Sequence, residues 1–175
     1  MKNHKKIVNL VLAAMFLALA LVLPFLTMQI KSIGKSLCPM HIPVMLCGYF
    51  CGPLYGAVVG IIAPLLRFAL FGMPVVMPTG IAMSFELATY GFVTGFLYKK
   101  LPHKKINIYI SLIAAMLLGR VVWGLVSAVI IGIFGNGFGW KAFMTGAFLE
   151  ALPGIAVQLI LIPVLVMVLR KHNPQ

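Results

Sequence analysis

Residues 42–70 read IPVMLCGYFCGPLYGAVVGIIAPLLRFAL, and this stretch decides the architecture of the chain. It carries no charge apart from Arg67, and Gly52-Pro53 divides it into a short piece and a longer one. A helix filling the short piece would rise only ~15 Å, which is half of a ~30 Å hydrocarbon core. The stretch is therefore either one kinked membrane span or two spans of which the first is short.

The rest of the chain is equally apolar. Of its 175 residues, 62% are hydrophobic and only 9% are charged, whereas about a quarter of the residues in soluble domains are charged. Such a composition predicts an all-α integral membrane protein, because a soluble fold could not bury so much apolar surface. We expect one membrane-embedded domain over residues 1–175. The 14 basic residues lie mostly in short clusters between apolar segments, which argues against a nucleic-acid partner.

The distribution of basic residues selects between five and six spans. The apolar segments cover residues 7–30, 42–51, 54–71, 80–98, 107–134 and 146–170. With six spans and a cytoplasmic N-terminus, nine basic loop residues lie inside: Lys2, Lys5, Lys6, Lys99, Lys100, Lys104, Lys105, Arg170 and Lys171. Three lie outside: Lys31, Lys35 and Lys141. Five spans would reverse this excess, so the positive-inside rule predicts six spans, a short second helix and both termini in the cytoplasm.

Ionisable residues inside membrane spans are candidates for function because each costs ~2.5 to 3.5 kcal/mol on insertion. Arg67 and Glu86 fall ~8 and ~10 Å below the outer boundary at 1.5 Å per residue, so they are predicted at matching depth. Two interpretations are open. They form a buried ion pair that locks two helices, or one or both face a solute cavity in the outer half.

The other intramembrane charges are Arg120 and Glu150. Arg120 lies near the middle of the fifth span with no acidic residue at its depth, so its expected partner is a carbonyl, an amide such as Gln158, or a ligand. Glu150 lies near the outer start of the sixth span. Aromatic or polar-tipped groups in the same outer half complete the candidate set: Tyr90, Trp123 and Asn136.

No motif for chemistry or for metal binding stands out. Cys38 and His41 have the spacing of metal ligands, but no second pair accompanies them, so we predict no metal site. His41 is kept as a substrate-binding candidate. The chain has no GxSxG, no HExxH, no phosphate loop and no pair of acids set for hydrolysis, so an enzyme is not expected.

Small residues recur at four-residue spacing in three of the spans. The pairs and triplets are Ala14 with Ala18; Gly52, Gly56 and Gly60; and Gly91 with Gly95. This spacing lets helix backbones approach closely in lipid. Each set is interpreted either as packing within the chain or as a docking face for a partner subunit.

Two of these stretches carry a family resemblance. Residues 42–70, together with FELATYG at residues 85–91, resemble the second, third and fourth helices of the substrate-binding S components of energy-coupling factor (ECF) vitamin transporters. The resemblance extends over most of the chain in length, six-span layout and basic cytoplasmic loop. It is closest to the riboflavin, folate and pantothenate branch.

The resemblance implies a multi-pass protein of the cell membrane that closes one vitamin in an outward pocket. The pocket would be formed by the first external loop and helices four to six. A transmembrane coupling (T) subunit and two ATPase subunits would supply energy, so ATP would be used by the partners and no cofactor is expected in this chain. The coupling contact of the family is an AxxxA pattern on the first helix, which Ala14 and Ala18 match.

The substrate is the least determined of these expectations. Pantothenate is favoured because its carboxylate suits Arg67 or Arg120, with riboflavin or a pyridoxine-type compound next. Met40-His41-Ile42-Pro43 repeats the letters with which cobalt and nickel S components begin, but here the tetrapeptide is internal and lacks the free amine. A transition-metal uptake subunit and a stand-alone secondary transporter or channel remain as alternatives.

Overall fold

The computed structural model describes residues 2–26, 39–72, 79–102, 104–133 and 152–172. The described residues form six helices and no strand, which confirms the all-α prediction. The helices, numbered here in chain order, are α1 (Lys2–Leu26), α2 (His41–Cys51), α3 (Pro53–Phe71), α4 (Ile81–Lys100), α5 (Lys105–Ile133) and α6 (Leu152–His172).

Three of the helices are long and apolar enough to cross a membrane by length and composition. They contain the segments His4–Phe25, Pro53–Phe71 and Lys105–Gly132. Two shorter apolar helices are His41–Cys51 and Pro153–Leu169. Polar residues such as Ser84, Glu86 and Thr94 lower the hydropathy of α4, and these side chains are buried. Large apolar side chains such as Leu54, Ile106 and Ile160 are exposed, as expected for surfaces that face lipid.

The chain reverses direction at Gly52, so residues 42–71 form two helices rather than one kinked helix. Gly52 has φ 98°, which is a backbone conformation that favours glycine, and Pro53 then starts α3. The short α2 lies inside the bundle, and every residue in it except Phe50 is buried. It contacts α1, α3, α4 and α6, which explains why its length need not match the membrane.

Glycines let the backbone of α4 approach the backbones of α2 and α3 closely. A Cβ atom added at Gly56 would lie 2.5 Å from the carbonyl oxygen of Gly91, and one added at Gly60 would lie 2.5 Å from the amide nitrogen of Ala88. A Cβ atom added at Gly95 would lie 2.6 Å from the carbonyl oxygen of Gly48. The glycine spacing on α3 and α4 therefore serves packing within the chain.

The contacts also fix the relative directions of the helices. α3 runs antiparallel to α4, because Gly56 faces Gly91 while Gly60 faces Ala88. α1 and α3 run parallel, since Arg67 contacts Leu21 and Phe71 contacts Phe25 at the same ends of both helices. α2 runs parallel to α4, with His41 beside Tyr90 and Gly52 beside Gly95.

Candidate functional site

Four polar side chains from three helices converge where α2 begins, and we call them the His41 cluster: His41, Glu86, Tyr90 and Arg120. Oε1 of Glu86 lies 3.0 Å from Nη1 of Arg120 and accepts a 2.8 Å hydrogen bond from the Tyr90 hydroxyl. Nε2 of His41 lies 3.7 Å from the same oxygen. The cluster thus ties α2, α4 and α5 together around one carboxylate oxygen.

The cluster is shielded from solvent. Glu86, His41 and Tyr90 are each 2% exposed, and Arg120 is 8% exposed. A lone buried charge is strongly disfavoured, whereas a paired and hydrogen-bonded one is tolerated. The Glu86–Arg120 contact therefore explains how two charged residues can lie within an otherwise apolar bundle.

Local sequence places the members of the cluster. Glu86 and Tyr90 are four residues apart on α4, so their side chains lie on the same face of the helix. Gly119, directly before Arg120, leaves room on α5 for the Tyr90 ring, with which a Cβ atom at this position would collide. The centroids of the Tyr90 and His41 rings are 5.2 Å apart at an interplanar angle of 53°.

Glu86 lies at the depth of Arg120, which corrects the sequence-based expectation that no acidic residue does. α4 and α5 are joined by a short connection, so residues equally far from it meet. Glu86 lies 14 residues before Lys100, and Arg120 lies 15 residues after Lys105, which is ~21 to 23 Å along each helix. The expectation that no acid lies at this depth was wrong, because the depth of Arg120 was counted along the fifth span alone. Counted from the connection that α4 and α5 share, Glu86 and Arg120 are level.

Arg67 does not pair with Glu86, which corrects the buried ion pair that the sequence offered as one of two interpretations. The Gly56–Gly91 and Gly60–Ala88 contacts set the register of α3 and α4 and place Arg67 level with the start of α4, ~9 Å from the level of Glu86. Nη1 of Arg67 instead donates a 3.2 Å hydrogen bond to the carbonyl oxygen of Leu21. Its guanidinium carbon lies 5.8 Å and 5.9 Å from the ring centroids of Phe25 and Phe71. Arg67 therefore belongs to the contact between α1 and α3.

The two ring nitrogens of His41 are buried without a hydrogen-bond partner among the described residues. The 3.7 Å separation from Glu86 is longer than an ordinary hydrogen bond. His41 is the first residue of α2, and Pro39 and Met40 before it are buried as well. Its imidazole thus lies beside Glu86 and Tyr90 of α4 and retains hydrogen-bonding capacity.

The remaining candidates fall outside this cluster. Trp123 is half-buried on α5, one turn beyond Arg120, and Gln158 is buried on α6. Asn136 and Glu150 lie outside the described residues, as does Cys38. Ala14 and Ala18 are both exposed on α1, in contrast to Ala13 and Phe16, which pack in the core.

Sequence reasoning missed a second polar contact between α2 and α5. The hydroxyl groups of Tyr49 and Ser111 lie 2.8 Å apart, and the Tyr49 hydroxyl donates a 3.1 Å hydrogen bond to the carbonyl oxygen of Ile108. The Tyr98 ring packs edge-on against Tyr49 with centroids 5.1 Å apart. The members of this contact lie on three helices, so no spacing within the sequence predicts it.

The described residues contain no group of three or more His, Cys, Asp or Glu side chains that could hold a metal ion. Among the residues that the structure describes, the His41 cluster provides one carboxylate, one guanidinium, one phenol and one imidazole. These groups donate and accept hydrogen bonds in a buried setting. The arrangement is suited to recognising a polar molecule.

Comparisons with known proteins identify the family. A comparison with curated proteins gave no match, and neither did one with solved structures. The family model described as "ECF transporter, substrate-specific component" matches residues 8–166, which is most of the chain and includes the whole His41 cluster. The protein therefore belongs to the family of substrate-specific components of ECF transporters, which are transporter subunits and not enzymes.

Proposed function

We propose that this chain is the substrate-binding subunit of an ECF-type importer in the cell membrane and takes up a water-soluble vitamin. The observation that carries the proposal is the His41 cluster, because a buried set of charged and hydrogen-bonding groups in a transporter subunit marks a place where a polar solute can be bound. The family membership supplies the transport role.

The proposed topology has six spans with both termini in the cytoplasm. Two features support it: the excess of basic residues at one set of loops, and the alternating directions of α1 to α4. In this orientation the Lys99 to Lys105 connection is cytoplasmic. The His41 cluster then lies in the outer half of the bundle, on the side from which a solute arrives.

The proposed partners are a transmembrane coupling subunit and two ATPase subunits. Ala14 and Ala18 form a small-residue stripe on α1, and their exposure leaves this stripe accessible to another helix. The stripe on α1 thus differs from the glycines of α3 and α4, which are covered by other helices of the same chain. We assign the α1 stripe to contact with the coupling subunit.

The candidate substrates are pantothenate, riboflavin and a pyridoxine-type compound. The sequence favours pantothenate, because Arg67 and Arg120 could each receive its carboxylate. The Glu86–Arg120 contact weakens that argument, because Arg120 already has a carboxylate within 3.0 Å. The site by itself therefore supports the class of ligand, a small polar vitamin, more strongly than any one member.

Co-purification and uptake test the transporter role. The chain is purified with a tag from cells that produce its natural partners, and the purified material is reconstituted in liposomes. We expect two ATPase subunits and a coupling subunit to co-purify, and vitamin uptake to require ATP. Uptake by the chain alone, without ATP, would identify a secondary transporter instead.

A further inference from the structure

His41 and the Glu86–Arg120 pair have different roles within the cluster, and this difference bears on the substrate. Glu86 receives a guanidinium at 3.0 Å and a phenol at 2.8 Å on one oxygen, so its interactions lie within the protein. The formal charges of Glu86 and Arg120 cancel. His41 has two ring nitrogens without a hydrogen-bond partner among the described residues.

A ligand carboxylate beside this pair would add a second negative charge near Glu86. Like charges in a shared buried site destabilise each other, and Arg120 cannot neutralise both. Arg67 lies at the α1–α3 contact, ~9 Å from the level of Glu86 along the bundle, and its guanidinium faces Leu21, Phe25 and Phe71. The charge balance at the His41 cluster thus favours a ligand without net charge.

The orientation of the imidazole determines which hydrogen bond is offered. Nε2 lies 3.7 Å from Oε1 of Glu86, which is too far for a hydrogen bond. Of the two neutral tautomers, the one with its proton on Nε2 is favoured electrostatically, because it directs an N–H towards the carboxylate. In that tautomer Nδ1 carries the lone pair and accepts a hydrogen bond. The Tyr90 ring, 5.2 Å away, restricts rotation of the imidazole. The complementary ligand group is a hydroxyl or a ring N–H.

Resting on the function proposed above, we propose that Nδ1 of His41 accepts a hydrogen bond from an uncharged, hydroxyl- or N–H-bearing vitamin, while the Glu86–Arg120 pair holds the imidazole in place. His41 is then a specificity-determining residue of the importer. Vitamins of the pyridoxine and riboflavin type have such donors without a carboxylate. Pantothenate has a carboxylate and is disfavoured.

Two substitutions at the same position separate ligand contact from internal support. Asn is short and places its amide near the position of Nδ1, whereas Gln is longer and places its amide near the position of Nε2. If the ligand binds at Nδ1, His41→Asn retains most of the affinity and His41→Gln lowers it by about tenfold, as expected for one lost hydrogen bond. If His41 only supports Glu86 through Nε2, the order is reversed.

The experiment titrates the full-length chain in lipid nanodiscs with pyridoxine, riboflavin and pantothenate, each as a separate probe. Thermal unfolding of each variant is measured in parallel to compare only folded protein. Tighter binding of pyridoxine or riboflavin than of pantothenate, together with the loss in His41→Gln and retention in His41→Asn, supports the inference. Tighter binding of pantothenate, equal affinities in both variants, or the reversed order overturns the inference and leaves the proposed function standing. Absence of binding by all three probes overturns both.

Discussion

Oε1 of Glu86 and Nη1 of Arg120 lie 3.0 Å apart, although the two residues belong to different helices, and both side chains are buried. The contact holds α4 against α5, and the Tyr90 hydroxyl completes it. Because both charges are buried, neither can exchange its partner for water. The stability of the bundle and the shape of the proposed binding site are therefore coupled through this pair.

Removing one member of the pair should destabilise the protein strongly. Glu86→Leu leaves Arg120 without its 3.0 Å carboxylate contact, and Arg120→Met leaves Glu86 without its guanidinium, so each should lower the free energy of unfolding by ~3 to 5 kcal/mol. The double substitution Glu86→Leu with Arg120→Met removes both charges and should restore most of that loss. Denaturant-induced unfolding in detergent micelles measures all three.

Val121→Ala is the matched control for this series, because Val121 follows Arg120 and is 52% exposed. Its effect should stay within ~0.5 kcal/mol. Losses in the two single variants, Glu86→Leu and Arg120→Met, that simply add in the double variant would show that the two residues do not interact energetically.

Because α3 and α4 approach each other closely, the effect of a glycine substitution on stability should depend strongly on its position. At Gly91 an added Cβ atom would collide with the Gly56 carbonyl, and backbone cannot yield as a flexible side chain can. Gly91→Ala should therefore lower the unfolding free energy by ~1 to 3 kcal/mol. Gly132 has nothing within 4 Å of an added Cβ atom, so Gly132→Ala should be neutral or slightly stabilising. Equal melting temperatures for the two variants would contradict this packing.

The α1 stripe can be tested separately from substrate binding. Ala14→Leu with Ala18→Leu fills the stripe with larger side chains, which should abolish ATP-dependent uptake and leave vitamin affinity of the isolated chain unchanged. Ala128→Leu, a change of the same size at an exposed position on α5, should leave uptake intact. Lost affinity in the Ala14/Ala18 variant would show that these alanines pack the bundle instead.

The proposed topology predicts which loops can be labelled from outside the cell. In a variant whose native cysteines are replaced by serine, a membrane-impermeant maleimide should react with Gly137→Cys and miss Lys104→Cys. The basis is the excess of basic residues around Lys104. Labelling of Lys104→Cys in intact cells would place the His41 cluster in the cytoplasmic half.

The sequence predicted the helical fold and much of the cluster because both depend on local composition. A single charged residue in an apolar span can be recognised from the sequence alone. Glu86 and Arg120 could therefore be identified as candidates without knowledge of their contact. Local composition could not predict that they pair, since the pairing depends on the register set by the loop between α4 and α5. Arg67 illustrates the same limit, because its level is fixed by glycine contacts further along α3. The contact between Tyr49 and Ser111 was not predicted, because no spacing in the sequence relates hydroxyl groups on two different helices.

The proposed function can be tested by identifying the small molecule that the chain carries. The full-length chain is purified in mild detergent from cells grown with the three candidate vitamins, then denatured, and the released molecules are identified and quantified by mass spectrometry. We expect one water-soluble vitamin at about one molecule per chain. The same vitamin should be released from the Ala14/Ala18 variant. Release of no small molecule, or of a transition-metal ion detected by elemental analysis, would contradict it.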